Sequence, residues 1–354
     1  MKITRVSHIR LDFDLAVPYT VAYETISSTT NIILKVETDK GLTGWGCSAP
    51  DRAVTGETPD EVSSAADGLI NDLLCGENPF QIARFIHVLK QQTTRNSSTI
   101  AMVDMALHDL LARKAGMPLF QLLGGFRSSI ATSITIGIVS LDETLAWAEK
   151  HLKDGFRVLK LKGGKVLEED IEKVLKLRER FGSGFALRFD ANQGYSVEQS
   201  IEFMDRVGDA GIEIFEQPTS RKKDSSLGMA TQATAVPVMA DESIKTLADA
   251  FRLAANERMD MINTKLMKMG GIFESLHINS VAKAAGIEVM VGCFDECALG
   301  ICAGLHFALS RANIEFADLD GHLDLVDDPF RNLFHLQDGV LYPSGEKGLG
   351  DIDL

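Results

Sequence analysis

The feature that most constrains this chain is a rhythm that begins near residue 130. Short runs rich in β-branched and other apolar residues recur at 131–137, 157–162, 185–190, 213–216, 236–240, 260–265, 287–291 and 314–318. Amphipathic helical patterns lie between most of them, at 142–153, 168–181, 197–210, 246–256 and 273–285. Eight strands alternating with helices in under 200 residues is the pattern of a (β/α)8 barrel. The rival is a doubly wound open sheet, and its dinucleotide-binding version loses support because no Gly-x-Gly-x-x-Gly follows the early strands.

The first 125 residues or so have a different texture. Residues 2–13 and 31–38 alternate apolar and polar as half-buried strands do, and Asp39-Lys40-Gly41 marks a hairpin turn. Helical spacing follows at 60–74, 80–92 and 99–116, the last apolar on nearly every side and stopped by Gly116-Met117-Pro118. The expected division is an α+β domain over 1–125, a barrel over 126–320, and a segment over 321–354 that returns to the first domain.

Charge narrows the function. Lys and Arg number 36 against 50 Asp and Glu, a net charge of −14, with no basic block to attract nucleic acid or an anionic membrane. No apolar stretch approaches the ~20 residues of a membrane-spanning helix. The opening Met1-Lys2-Ile3-Thr4-Arg5-Val6 reads as an amphipathic strand rather than an export signal. With five cysteines, an odd number, the expectation is free thiols in the cytoplasm. Cys293, Cys297 and Cys302 have no second Cys/His pair at ligand spacing, which argues against zinc. Barrel homo-oligomers are common, but nothing in the sequence selects a number of subunits.

In a barrel, chemistry sits where strands end. These strands end in Lys160-Leu161-Lys162, Asp190-Ala191-Asn192, Glu216-Gln217-Pro218, Asp241-Glu242-Ser243, Asn263-Thr264-Lys265 and Asp318-Leu319-Asp320. Lys162, Asp190, Glu216, Asp241 and Lys265 are separated by 28, 26, 25 and 24 residues, each about one βα unit. Equivalent ends of successive parallel strands are neighbours, so these residues form an arc. Three converging carboxylates repel one another unless a cation is present, and an all-oxygen donor set suits Mg²⁺. Lysines from the second and sixth strands flank the arc on opposite sides. A lone charged strand end is ordinarily a solvated cap; five in phase, three acidic and two basic, are not.

The order Lys-x-Lys, Asp-x-Asn, Glu-Gln-Pro, Asp-Glu-Ser, Asn-x-Lys-x-x-Lys-x-Gly-Gly resembles the enolase superfamily in its muconate-lactonizing subgroup. The resemblance extends through the first domain, with Gly44-Trp45-Gly46 near its start and Leu122-Leu123-Gly124-Gly125 at its end. It implies an α/β fold, a modified TIM barrel (β/α)7β with its last helix displaced, under an N-terminal α+β capping domain. It implies Mg²⁺ on Asp190, Glu216 and Asp241, and acid/base catalysis by Lys162 and Lys265 on opposite faces of the substrate through an enediolate. Lys160 would tune Lys162 and hold the substrate carboxylate, and Asn192 would orient the metal shell. Lys268 is left open between a surface lysine and a role in the site.

Two bases on opposite faces invert a centre. The Asp318-x-Asp320 pair resembles that of dipeptide epimerases, where it receives the α-ammonium of the N-terminal residue, so a small dipeptide is the expected substrate and epimerisation at its C-terminal α-carbon the expected reaction. Thr135, in the first barrel run, joins the expected substrate contacts. A specificity loop is expected over residues 16–30, including Tyr19, Tyr23 and Glu24. Glu24 stands where the L-Ala-D/L-Glu members have a basic residue. With Asp295 and Glu296 at the seventh strand, it favours cationic or hydrophobic dipeptides over acidic ones. The alternatives are an o-succinylbenzoate synthase or muconate cycloisomerase of the same subgroup and, more remotely, a non-catalytic binding barrel.

Overall fold

A computed structural model describes residues 1–20, 25–93 and 96–354. Strands β1 (Ile3–Thr20), β2 (Thr25–Thr38) and β3 (Thr43–Ser48) form an antiparallel sheet in that order. β1 and β2 run further than the apolar alternation foretells. On β2 the added length is polar and rich in Ser and Thr, on β1 it is largely apolar, and the pairing shifts register between Asp14 and Tyr19, with Asp12 opposite Thr30 and Tyr19 opposite Ile26. Gly41 takes the left-handed conformation that the turn between β2 and β3 requires (φ 71°).

The helix Ser97–Ala115 lies directly on β3. A side chain at Gly44 would collide with the Ala106 carbonyl, and one at Gly46 with that of Met102. This is the physical reason for glycine on both sides of Trp45. The same helix is buried over most of its length and ends at Gly116, a left-handed cap. Together with helices Pro59–Ala65 and Ile82–Gln92 it forms a core separate from the barrel's, built on Ile32, Leu34, Val36, Phe85, Val103 and Leu107.

After a short β4 (Ile130–Ala131), eight parallel strands follow: β5 (Ile134–Ile136), β6 (Val158–Lys162), β7 (Ala186–Asp190), β8 (Ile212–Glu216), β9 (Val238–Ala240), β10 (Met261–Lys265), β11 (Glu288–Gly292) and β12 (Ile314–Asp318). They are hydrogen-bonded in sequence order. The circle closes where Thr132 bridges Ala317 and the Ser133 amide donates to the Ala317 carbonyl at 3.2 Å.

Seven helices connect the strands: Leu141–Lys153, Leu167–Phe181, Val197–Val207, Asp224–Ala233, Leu247–Ala255, Ile272–Ala284 and Ala298–Ala308. Ser140, Ser196 and Thr246 start three of them with reciprocal capping hydrogen bonds. In place of an eighth helix, β12 leads into a hairpin of β13 (Phe334–Gln337) and β14 (Val340–Pro343) that pairs with β4. The architecture is therefore the (β/α)7β form. Beyond the hairpin, Leu349 donates its amide to Asp109 at 2.8 Å, so the tail reaches the long helix of the first domain.

Two connecting helices have no counterpart in the sequence pattern. Ala298–Ala308 is buried on every side, so it carries no amphipathic period. Asp224–Ala233 is built mostly of small and weakly apolar residues, and its faces differ little.

Inside the barrel, Ile214, Met239, Met261 and Met290 pack together below the mouth, with Phe316 against them. Arg188 is buried beside this floor, donating to Glu213 at 2.8 Å and to the Ala317 carbonyl at 2.9 Å.

Candidate active site

The ends of β5, β6, β10 and β12, with the loops after β7, β9 and β11 and residues of the first domain, surround a cavity of about 720 Å³. Backbone register fixes the arc: Lys162 stands beside Asp190, and Asp190 beside Glu216. Asp241 follows β9 directly and Lys265 ends β10. β6 and β10 are four strands apart in a ring of eight, so Lys162 and Lys265 face each other across the mouth.

The buried carboxylates are each met by lysine ammonium groups. Lys162 donates to Asp190 at 2.7 Å. Lys160, 1% exposed, reaches Glu216 at 2.7 Å, Asp318 at 2.8 Å and Asp190 at 3.2 Å. On the other side Lys265 donates to one oxygen of Asp241 at 2.9 Å and Lys268 to the other at 2.5 Å. Burial alone would strip the proton from Lys160, but Asp318, Glu216 and Asp190 outweigh it and hold the ammonium well above its ordinary pKa. Burial likewise opposes the Lys265 ammonium, and Asp241 overrides it.

Among the described residues, no three Asp, Glu, His or Cys side chains close around one point as a finished ligand set. Positive charge stands among the carboxylates instead. The donor chemistry nevertheless fits a hard divalent cation. One lysine charge lies within 3.2 Å of three carboxylates at once. Beside them Glu242, also buried, has an oxygen with no partner. Burial, then Asp241 and Asp190, push the Glu242 carboxyl up to about 7. Asn192 spans Asp190 and Glu242 at 3.5 Å from each, and its own amide oxygen is unpartnered. Asn263 donates to Glu216 at 2.6 Å.

Asp318 and Asp320 both line the cavity but do different things. Asp318 is held by Lys160 and by the Ser133 hydroxyl at 2.5 Å, and despite its burial Lys160 brings it down to about 2. β12 closes on β5 and brings its end close to β6, so Asp318 shares Lys160 with Asp190 and Glu216. Asp320 accepts the Thr135 amide at 2.7 Å, and burial followed by the Asp318 charge pushes its carboxyl up to about 7.

The specificity residues divide. Asp295 lines the cavity and accepts the Tyr19 hydroxyl at 2.9 Å; burial raises it to about 6, with Asp324 and Asp51 adding to the effect. Glu296, expected beside it, does not line the cavity. It is buried behind the loop, where it accepts the Phe294 amide at 3.0 Å. The stretch after β11 is a bent loop, so neighbouring side chains leave it in directions that strand alternation does not describe. Tyr23 and Glu24 lie outside the described residues. Lys268 is no surface residue, being 1% exposed. The three C-terminal cysteines diverge: Cys293 lines the cavity, Cys297 faces Cys47, and Cys302 meets the Leu349 carbonyl.

Ser133, Glu242 and the acidic pair Asp51 and Asp324 escaped the sequence reading. Glu242 adjoins a recognised motif residue and was open to notice. Asp51 and Asp324 come from loops whose approach to the mouth depends on the packing of the first domain.

Comparison with known proteins gives a coherent result. The family described as mandelate racemase / muconate lactonizing enzyme, N-terminal domain, matches residues 4–124, and the enolase C-terminal domain-like family matches residues 143–351. The chain is 40% identical to an L-Lys-D/L-Arg epimerase of Desulforapulum autotrophicum, over 99% of each chain. It is 37% identical to a hydrophobic dipeptide epimerase of Enterococcus faecalis, again over 99% of each. A solved substrate-liganded complex of the L-Ala-D/L-Glu epimerase from Bacillus subtilis superposes with a TM-score of 0.96 at 37% identity, covering 99% of this chain and 98% of that one.

Proposed function

The chain belongs to the mandelate racemase / muconate lactonizing enzyme family of the enolase superfamily, and from that premise we propose that it is a Mg²⁺-dependent dipeptide epimerase. The observation that carries the reading is the pair Lys162 and Lys265, each on its own carboxylate and facing one another across a single cavity. Solved dipeptide epimerases from Enterococcus faecalis and Methylococcus capsulatus contain both Mg and a dipeptide.

Asp190, Glu216 and Asp241 would hold the cation. When bound, it supplies positive charge that stabilises the second negative charge developing on the substrate carboxylate. The lysines move the proton. One of Lys162 and Lys265, in its neutral form, takes the α-proton, and the other, as ammonium, delivers a proton to the opposite face. Lys160 presents fixed positive charge to the substrate carboxylate. Asp320, held in place by the Thr135 amide, receives the α-ammonium of the N-terminal residue together with Asp318. A dicarboxylate such as muconate would meet repulsion at that end.

The substrate class is a dipeptide with cationic or hydrophobic residues favoured over acidic ones. Relatives of all three specificities stand at similar identity, so resemblance does not choose among them. The cavity wall supports the choice: Asp324 and Asp51 lie close enough to Asp295 to help push its carboxyl up, and an acidic side chain there would add to the repulsion. The test is a mass-spectrometric screen of L,L-dipeptide mixtures in D₂O with Mg²⁺, scoring uptake of one deuteron. Exchange in Lys-, Arg- or aliphatic-ending dipeptides is expected. Exchange confined to Glu- or Asp-ending dipeptides would discard the specificity, and none at all would discard the reaction.

A further inference from the structure

We propose that Lys268 is a positioning residue that fixes Asp241, and through it Lys265, so that it governs proton transfer on one face of the substrate only. The inference rests on the epimerase reading above.

Lys268 does not line the cavity, so it does not touch substrate. It is nonetheless 1% exposed, and a buried ammonium is costly unless every donor is matched. Its three N–H groups have three acceptors: Asp241 Oδ1 at 2.5 Å, the Asp241 carbonyl at 2.6 Å and the Asn263 carbonyl at 3.1 Å. Two of these are backbone atoms, one just after β9 and one within β10. The side chain therefore clips together the strand ends that carry Asp241 and Lys265.

The local fold is built to turn Lys268 inward. A single helical turn, Leu266–Met269, follows β10 and stops at Gly270 and Gly271, both at positive φ (85° and 100°). A side chain on Gly271 would run into Asp104, whose carboxylate accepts the Ile272 amide at 2.5 Å. The long helix of the first domain thus clamps the turn that sets Lys268.

The two sides of the site then show one plan. On the β6 side Lys162 and Lys160 share Asp190, at 2.7 and 3.2 Å. On the β10 side Lys265 and Lys268 share Asp241, at 2.9 and 2.5 Å. Each lysine placed for proton transfer shares its carboxylate with a second, more deeply buried lysine. Lys160 also meets Glu216 and Asp318, so it serves the whole mouth. Among the described residues, Lys268 hydrogen-bonds only Asp241 and the Asn263 carbonyl, so its influence is confined to the Lys265 side.

The experiment separates the faces. At saturating Mg²⁺ in D₂O, α-proton exchange is followed separately for the L,L- and L,D-forms of one dipeptide. Lys265→Ala identifies the form whose exchange depends on Lys265. Lys268→Met is expected to slow that form by about 30-fold and to leave the other within about threefold. Calorimetry on the metal-free protein is expected to give Mg²⁺ binding about tenfold weaker, since Asp241 loses its anchor. Lys268→Gln, which keeps neutral donors, repeats both measurements if the methionine variant does not fold. Equal slowing of both forms, or slowing of neither, overturns the proposal. If the unaltered enzyme exchanges no dipeptide, the epimerase reading fails; Mg²⁺ binding unchanged in the variants then also removes the hold of Lys268 on Asp241.

Discussion

The mouth and the floor of the barrel are made from the same strands and obey opposite rules. At the floor, Ile214, Met239, Met261 and Met290 exclude water and fill space. Two residues further along β8, Glu216 is just as buried, among Asp190, Lys160 and Asn263. Burial of charge on this scale does not favour folding: even well-paired buried ions roughly break even against apolar residues of similar size. The floor is explained by stability, whereas the mouth is explained only by what it does to a substrate. Substitutions at the mouth should therefore cost activity out of proportion to their effect on the fold, and those at the floor the reverse.

The largest effect should come from the facing lysines. Lys162→Ala or Lys265→Ala is expected to lower epimerisation by about 10³-fold or more, the range for loss of a positioned acid or base. Each should abolish α-deuterium exchange from one form of the substrate and leave exchange from the other. If both variants lost exchange equally from both forms, the two-face arrangement would be wrong.

Asp320 comes next. Its carboxyl is pushed up to about 7, first by burial and then by Asp318. The free enzyme therefore loses this negative charge as pH falls through about 7, and kcat/KM for a dipeptide should fall with it. Asp320→Asn is expected to lower kcat/KM by about 10- to 100-fold, the worth of a hydrogen bond to a charged group, and to flatten that acid limb. A retained limb in the variant would assign it to another group.

Asp295 should have a smaller and more selective effect. Asp295→Asn is expected to reduce the preference for Lys- over Leu-ending dipeptides by about three- to tenfold, as expected for a partly shielded charge, while the Leu-ending rate holds. Because burial sets this carboxyl near 6, the same preference should fade in the unaltered enzyme as pH falls below that value. Competition assays with paired substrates would measure both.

The same contrast explains what was legible in the sequence. The mouth was readable because its charges interrupt apolar strands once per βα unit, so register alone aligns them. From β6 to β12 the strands lie within about two residues of the expected runs, since a buried parallel strand is a compact apolar word, while the first run splits into β4 and β5. The helix Ala298–Ala308 was not readable, because apolar residues on all sides leave no period. The inward turn of Lys268 was hidden as well: it depends on Gly270 and Gly271 fitting against Ile100 and Asp104, far away in the chain. Asp295 and Glu296 are adjacent in sequence and part company in a loop, where neither strand nor helix periodicity applies.

The floor supplies the smallest expected effect on catalysis and the sharpest check on the contrast. Ile214 is fully buried and lies on the same face of β8 as Glu216, two residues away. Ile214→Val removes one methylene, adds no polar atom and keeps β-branching, so strand geometry is retained. It is expected to cost about 1 kcal/mol of stability, visible as a lower urea midpoint. Because Glu216 is fixed by Lys160 and Asn263 rather than by Ile214, kcat/KM should stay within about twofold, a free-energy change well under 1 kcal/mol. A tenfold loss of activity from this single methylene would mean that the floor sets the position of the carboxylates above it, and that mouth and floor are one mechanical unit rather than two regions under separate rules.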